Sequence, residues 1–184
     1  MSIFNIHMSD KVTGMSDFWG EGTAYAVSTH LIGLFDEVCA SPLTSFASSD
    51  YWWDKPASQI ASNEVLIYFV RNKDDSIVKQ AWASANPGGA AGYTYINGSD
   101  GNISEIYVET AISQLSGGGD LTRGLAVLAF HELMHNKLRL GNALHSHGGA
   151  AAAAVSNETK LTAKNISAMA KALDKRVKQN TGYL

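Results

Sequence analysis

From Leu121 to Leu140 the chain runs without a proline, and apolar residues fall on nearly every side of the helix that such a stretch forms. Asp120 stands where an N-cap side chain accepts from the first free N–H groups, and Gly141 is a natural residue to end the helix. A helix of about five turns with so little polar surface belongs at the centre of its domain, under a sheet. Three residues in its second half complicate that placement. His131, Glu132 and His135 are ionisable, and burying such groups requires partners for them. Residues i and i+4 lie one turn apart on the same face, so the two imidazoles point the same way. Glu132 is rotated by about 100° from His131 and stands beside the pair.

The rest of the chain supplies elements to surround this helix. Thr23 reads as the N-cap of a helix from Ala24 to about Ala40, with Val27, Leu31, Leu34, Phe35 and Val38 as its apolar stripe. His30 and Cys39 on that helix read as packing or solvent-contact residues. Ile3 to Ile6 is a candidate short strand. Glu64 to Arg71 carries the strongest β signal, with Ile77 to Ser84, Gly92 to Ile96 and Ile103 to Glu109 as further candidates. Turn-forming clusters such as Asn72-Lys73-Asp74-Asp75 and Pro87-Gly88-Gly89 separate them. Connections this short favour antiparallel neighbours, within a small mixed sheet. The Ser-rich stretch 41–63 reads as a loop, whose Tyr51, Trp52 and Trp53 either pack on the core or form one wall of a substrate cleft. Gly148-Gly149 and the alanine run 150–154 read as a low-complexity connector or a short helical turn. Thr162 caps a last helix to about Lys178, with Ile166, Met169, Ala170, Leu173 and Val177 as its buried stripe. The expectation is one α+β domain over residues 1–184, a small mixed sheet packed on a buried helix with helices near both termini.

Composition narrows the function classes. A net charge of -3 without any basic block argues against a nucleic-acid partner. A single cysteine, Cys39, excludes an intrachain disulfide. The longest apolar runs are too short to span a bilayer. The first residues lack the basic and apolar regions of a signal peptide, so the expected location is cytosolic, or outside the cell by a route that needs no cleaved signal, unless the chain is already processed.

His131-Glu132-Leu133-Met134-His135 has the H-E-x-x-H form, in which two imidazoles grip one metal and the carboxylate serves as a base beside it. A catalytic zinc takes a third protein ligand and leaves a position for water. His145 is the first choice, because a chain leaving the helix at Gly141 can fold back toward the metal four residues later. His147 is the second choice, with substrate contact as its alternative role, and Glu158 is the third.

With this motif the chain resembles the zincin metalloproteases over Thr122 to His147, and its order of helix, strands, active helix and final helix is also theirs. Within that family it is most similar to the metzincin branch, whose longer motif is H-E-x-x-H-x-x-G-x-x-H. Here Leu138 holds the glycine position and Gly141 the third-histidine position, while a glycine and a histidine recur about a turn later as Gly141 and His145. The resemblance implies a zinc endopeptidase: Zn²⁺ on His131, His135 and His145, with Glu132 taking a proton from water and passing it to the leaving amine. Tyr95, Tyr107, Tyr183 and His147 are candidate oxyanion donors, and Gly92 to Ile96 is a candidate edge for an extended substrate backbone. In size, motif and missing signal peptide the chain is also loosely similar to small bacterial effector metalloproteases. That similarity implies an exported effector or toxin, a protein or peptide substrate, and an inhibitor or immunity protein as partner. The same chemistry serves a zinc amidase acting on a cell-wall peptide. A non-catalytic zinc module would have no need of Glu132.

Overall fold

The computed structural model describes residues 2–82, 84–97, 101–115 and 119–174. Its central strand is β3, Val65–Val70, every residue of which is buried. Val65, Ile67 and Phe69 face one layer, and Leu66, Tyr68 and Val70 face the other, so the strand is apolar on both sides. Around it lie β1 (Ser2–Lys11), β2 (Phe46–Trp53), β4 (Gly92–Asn97) and β5 (Gly101–Tyr107), in the order β2-β1-β3-β5-β4. β1, β2, β3 and β5 are parallel neighbours, and β4 runs antiparallel on β5. The α+β architecture with a small mixed sheet is therefore what forms. The preference for antiparallel neighbours holds only for β4 and β5.

The reason lies in stretch 41–63, which contains the strand β2 rather than only a loop. β2 is an outer strand in which half-buried and exposed positions mix, and its serines hide the alternation. Tyr51 and Trp53 turn toward the helical core, while Trp52 is 49% exposed. The helix α1 (Glu21–Cys39) joins β1 to β2, the crossover that adjacent parallel strands require. It begins at Glu21 behind Gly20, not at Thr23, whose hydroxyl instead donates to the Phe18 carbonyl at 2.5 Å.

Two further strand expectations change. Ile77–Ala81 is a short helix, α2, because Ser76 caps it by accepting from the Lys79 N–H at 3.0 Å. Its first N–H, on Ile77, donates to the buried Glu105 carboxylate at 3.0 Å. The strand expected from Ile103 stops at Tyr107, and Val108–Gln114 forms the helix α3.

α1 and α4 (Leu121–Leu138) pack together on one face of the sheet, and α5 (Ala163–Leu173) packs on both. Phe35 of α1 stacks on Phe4 of β1 at 5.5 Å and meets Phe130 of α4 edge-on at 5.0 Å. Every α4 residue from Gly124 to Met134 is buried, as its all-round apolar sequence requires. Asp120 Oδ1 accepts from the Thr122 and Arg123 N–H groups, and its Oδ2 lies 2.8 Å from His30 Nε2, tying α1 to the start of α4. α4 ends at Leu138 rather than Leu140. Arg139, not Gly141, takes the left-handed conformation there, at φ 54°. α5 opens with a capping box between Thr162 and Asn165, and Val177 and Lys178 lie outside the described residues. Among the described residues no helix is long and apolar enough to cross a membrane.

Candidate metal centre

α4 delivers His131 and His135, and the backbone beyond the helix sets how they are used. His131 Nδ1 lies 2.9 Å from the Ala150 carbonyl oxygen, and His135 Nδ1 lies 2.5 Å from that of Leu140. A carbonyl oxygen can only accept, so each Nδ1 carries its proton and each Nε2 presents a lone pair. The two Nε2 atoms are 3.1 Å apart. Two lone pairs at that separation repel unless a cation lies against both. A proton does not fill that role at neutral pH, because burial pushes His131 down to about 4 and lowers His135 as well. Zinc–nitrogen bonds of about 2.0–2.1 Å at tetrahedral angles hold donor atoms about 3.3 Å apart, which the pair nearly matches.

His145 completes the group. It comes from a 3₁₀ turn, Asn142–His147, with its ring 5.4 Å from that of His131 and 5.3 Å from that of His135. One ligand atom from each of the three residues lies within 4.8 Å of the others. Of the three candidates for this place, only His145 is brought in. In a 3₁₀ turn successive residues rotate by about 120°, so His147 points away from the direction His145 takes. Glu158 is exposed, in a loop that Arg123 clips to α4 through the carbonyls of Asn157 and Thr159.

A residue of α5 that is absent from the sequence-based site supports this arrangement. Asn165 is fully buried; its Nδ2 donates to the Gly148 carbonyl at 3.0 Å, and its Oδ1 accepts from the Ala150 N–H at 3.1 Å. Gly148 and Gly149 turn the chain at positive φ, 64° and 56°. A Cβ on Gly149 would come within 2.6 Å of Asn165 Oδ1 and Thr162 Cγ2. These contacts hold the Ala150 carbonyl under His131. Asn at the third position of the cap-like Thr162 segment is the only signal of it in the sequence.

Glu132 lies against β4 and is 5% exposed. The Thr94 hydroxyl is 2.7 Å from its Oε2 and 2.8 Å from its backbone carbonyl. Gly92 leaves room for it: a Cβ there would fall 2.8 Å from Glu132 Cγ and Oε1. Burial pushes the carboxyl up to about 8, the Thr94 hydrogen bond opposes the rise, and Glu105 adds to it. A divalent cation beside it would pull the value back down.

Glu132 and the three histidines line a cleft of about 420 Å³ between β4, the outer strand, and the alanine-rich segment 152–155. Gly124 packs against Asn157. The oxyanion candidates lie elsewhere. The Tyr107 hydroxyl donates to Glu105 on the far face of the sheet, and Tyr95 stacks on Trp82 there at 4.7 Å. His147 is not in the cleft lining, and Tyr183 lies outside the described residues. Asn142, which sequence reasoning did not single out, does line the cleft. Tyr51 and Trp53 line a different one. No protein-family model, curated protein or solved structure matches this chain.

Proposed function

We propose that this protein is a zinc-dependent metallopeptidase. His131, His135 and His145 are its metal ligands, and Glu132 is its catalytic base. The observation that carries the reading is the convergence of three imidazoles beside a buried carboxylate in a cleft bordered by an outer β-strand. Zinc, when bound, supplies a Lewis acid that polarises a carbonyl and makes water acidic enough to lose a proton near neutral pH. The backbone carbonyls of Ala150 and Leu140 keep the two α4 imidazoles in the Nδ1–H form. Thr94 holds Glu132 Oε2, so that Oε1 takes the proton from the attacking water and returns it to the departing amine nitrogen. Asn142 replaces the tyrosines as the side-chain candidate for donating to the oxyanion. An extended peptide pairs along β4, which sets its carbonyl over Glu132. Delivery as an effector, and an inhibitor or immunity protein as partner, rest on the sequence similarity alone.

Metal analysis and peptide hydrolysis together test the proposal. The purified chain should bind one zinc. His145→Ala should bind it far more weakly, while His147→Ala and Glu158→Ala should keep the parent stoichiometry. Glu132→Gln should retain zinc and lose hydrolysis of a mixed peptide library by orders of magnitude. Parent-like zinc binding by His145→Ala would remove it as a ligand, and parent-like turnover by Glu132→Gln would remove the mechanism.

A further inference from the structure

A second cleft, of about 810 Å³, opens where β1 and β2 end and α1 begins. It shares no residue with the histidine cleft and lies toward the β2 margin of the sheet, with β4 at the opposite margin. We propose that it binds an organic cation, a substituted ammonium group.

Four aromatic residues, Trp19, Tyr25, Tyr51 and Trp53, form part of its lining. Both indoles are fixed from behind. Trp19 stacks on Phe69 at 5.3 Å, and Trp53 lies 5.6 Å from the same ring. Their N–H groups are already committed, Trp19 Nε1 to Asp10 Oδ2 and Trp53 Nε1 to Ser28 Oγ, each at 2.8 Å. With those donors used inside the protein, the indoles offer a ligand only carbon and π surface, most of it from half-buried Trp53, since Trp19 is only 6% exposed. The Trp19 and Trp53 rings meet at 73° with centroids 6.4 Å apart, forming a corner rather than a flat wall. Tyr25 is 64% exposed on the first turns of α1, at the rim.

The charged groups of the lining are all acidic: Asp10, Glu21 and Asp54. Asp54 holds a left-handed backbone, φ 49°, which returns its Oδ1 over β1 to accept from Ser9 Oγ and from the Asp10 N–H. Among the described residues, Glu21 and the Oδ2 of Asp54 have no hydrogen-bond or ion-pair partner. The start of α1 contributes an opposing field of only about half a positive charge, against three carboxylates, so the cleft selects cations. Aromatic faces with nearby carboxylates suit a cation whose charge is spread over carbon substituents, since such a group is less costly to dehydrate than a bare ammonium. The mouth is open beside Gly20 and Gly22, where a Cβ would meet nothing within 4 Å.

Choline and 3,3-dimethyl-1-butanol, its uncharged carbon isostere, test the assignment when titrated into the full chain and followed by tryptophan fluorescence and calorimetry. Choline should bind at least tenfold more tightly than the isostere. Glu21→Gln and Tyr25→Ala alter exposed side chains, so both should fold as the parent does, by circular dichroism, and each should weaken choline at least threefold. His131→Ala should leave choline affinity unchanged, which keeps this result separate from the fate of the metal site. Absence of choline binding, equal binding of the isostere, parent-like affinity in both cleft variants, or tighter binding of a neutral methyl glycoside would each overturn the proposal.

Discussion

Replacing Glu132 by glutamine should stabilise the metal-free protein, by an amount that grows with pH. The carboxyl ordinarily titrates at 4.5 and is pushed up to about 8 by burial. A carboxyl raised in the folded state binds protons that the unfolded state releases, so its stabilising effect is complete below pH 4.5 and is lost as pH rises through 8. The gap of about 3.5 pH units, at about 1.4 kcal/mol each, sets a ceiling of about 5 kcal/mol on that loss. Glutamine has nearly the same shape, still accepts from Thr94, and does not ionise. The stability difference between Glu132→Gln and the parent should therefore be small at pH 5, climb by up to about 1.4 kcal/mol per pH unit, and level off above pH 8. Urea unfolding of both proteins in chelator, from pH 5 to pH 9, measures it. Saturating zinc should shrink the difference, because a divalent cation favours the ionised carboxylate. A difference that is flat from pH 5 to pH 9 would refute the reasoning, since Glu132 would then be neither desolvated nor strained in its charged form.

Two other perturbations follow from the same geometry. Gly92→Ala places a methyl group 2.8 Å from Glu132 Cγ and Oε1 and should displace the carboxylate, lowering peptide hydrolysis by about ten- to a hundredfold while zinc stoichiometry stays at the parent value. Asp120→Ala removes the α4 cap and the contact to His30, and should cost about 1 kcal/mol of unfolding free energy at pH 7. Hydrogen bonding from Thr122 is the main cause that holds Asp120 down to about 2, against an ordinary 3.8, so the cost should fade as pH drops through that window in acid-unfolding curves.

What the sequence disclosed was local. The i, i+4 spacing of His131 and His135, the Asp120 cap and the apolar surround of α4 all act within one helix, where residue order fixes geometry. His145 was within reach of the same argument, although Arg139 rather than Gly141 makes the turn that brings it back. The parallel sheet was not legible, because β2 is a half-exposed outer strand of mixed polar residues whose pairing with β1 depends on contacts far apart in sequence. α2 was read as a strand because Ile77 and Val78 are apolar and β-branched, while the Ser76 cap and the Glu105 carboxylate decide the matter. The support of Thr94 and Gly92 for Glu132 is likewise tertiary, made by a strand that meets α4 only after folding.

The α4 imidazoles are oriented by main-chain oxygens, and that shifts where the site is open to damage. No side-chain replacement can delete the carbonyl of Ala150 or Leu140, so these orienting partners are protected from direct substitution. They are lost only if the chain is rerouted. The routing of the Ala150 carbonyl depends on Gly148, Gly149 and Asn165, residues with no ligating or proton-transfer chemistry of their own. The mutational target of the proposed centre is therefore wider than the four side chains assigned to it. A random screen for loss of metal should return changes at those two glycines and that asparagine alongside changes at the histidines.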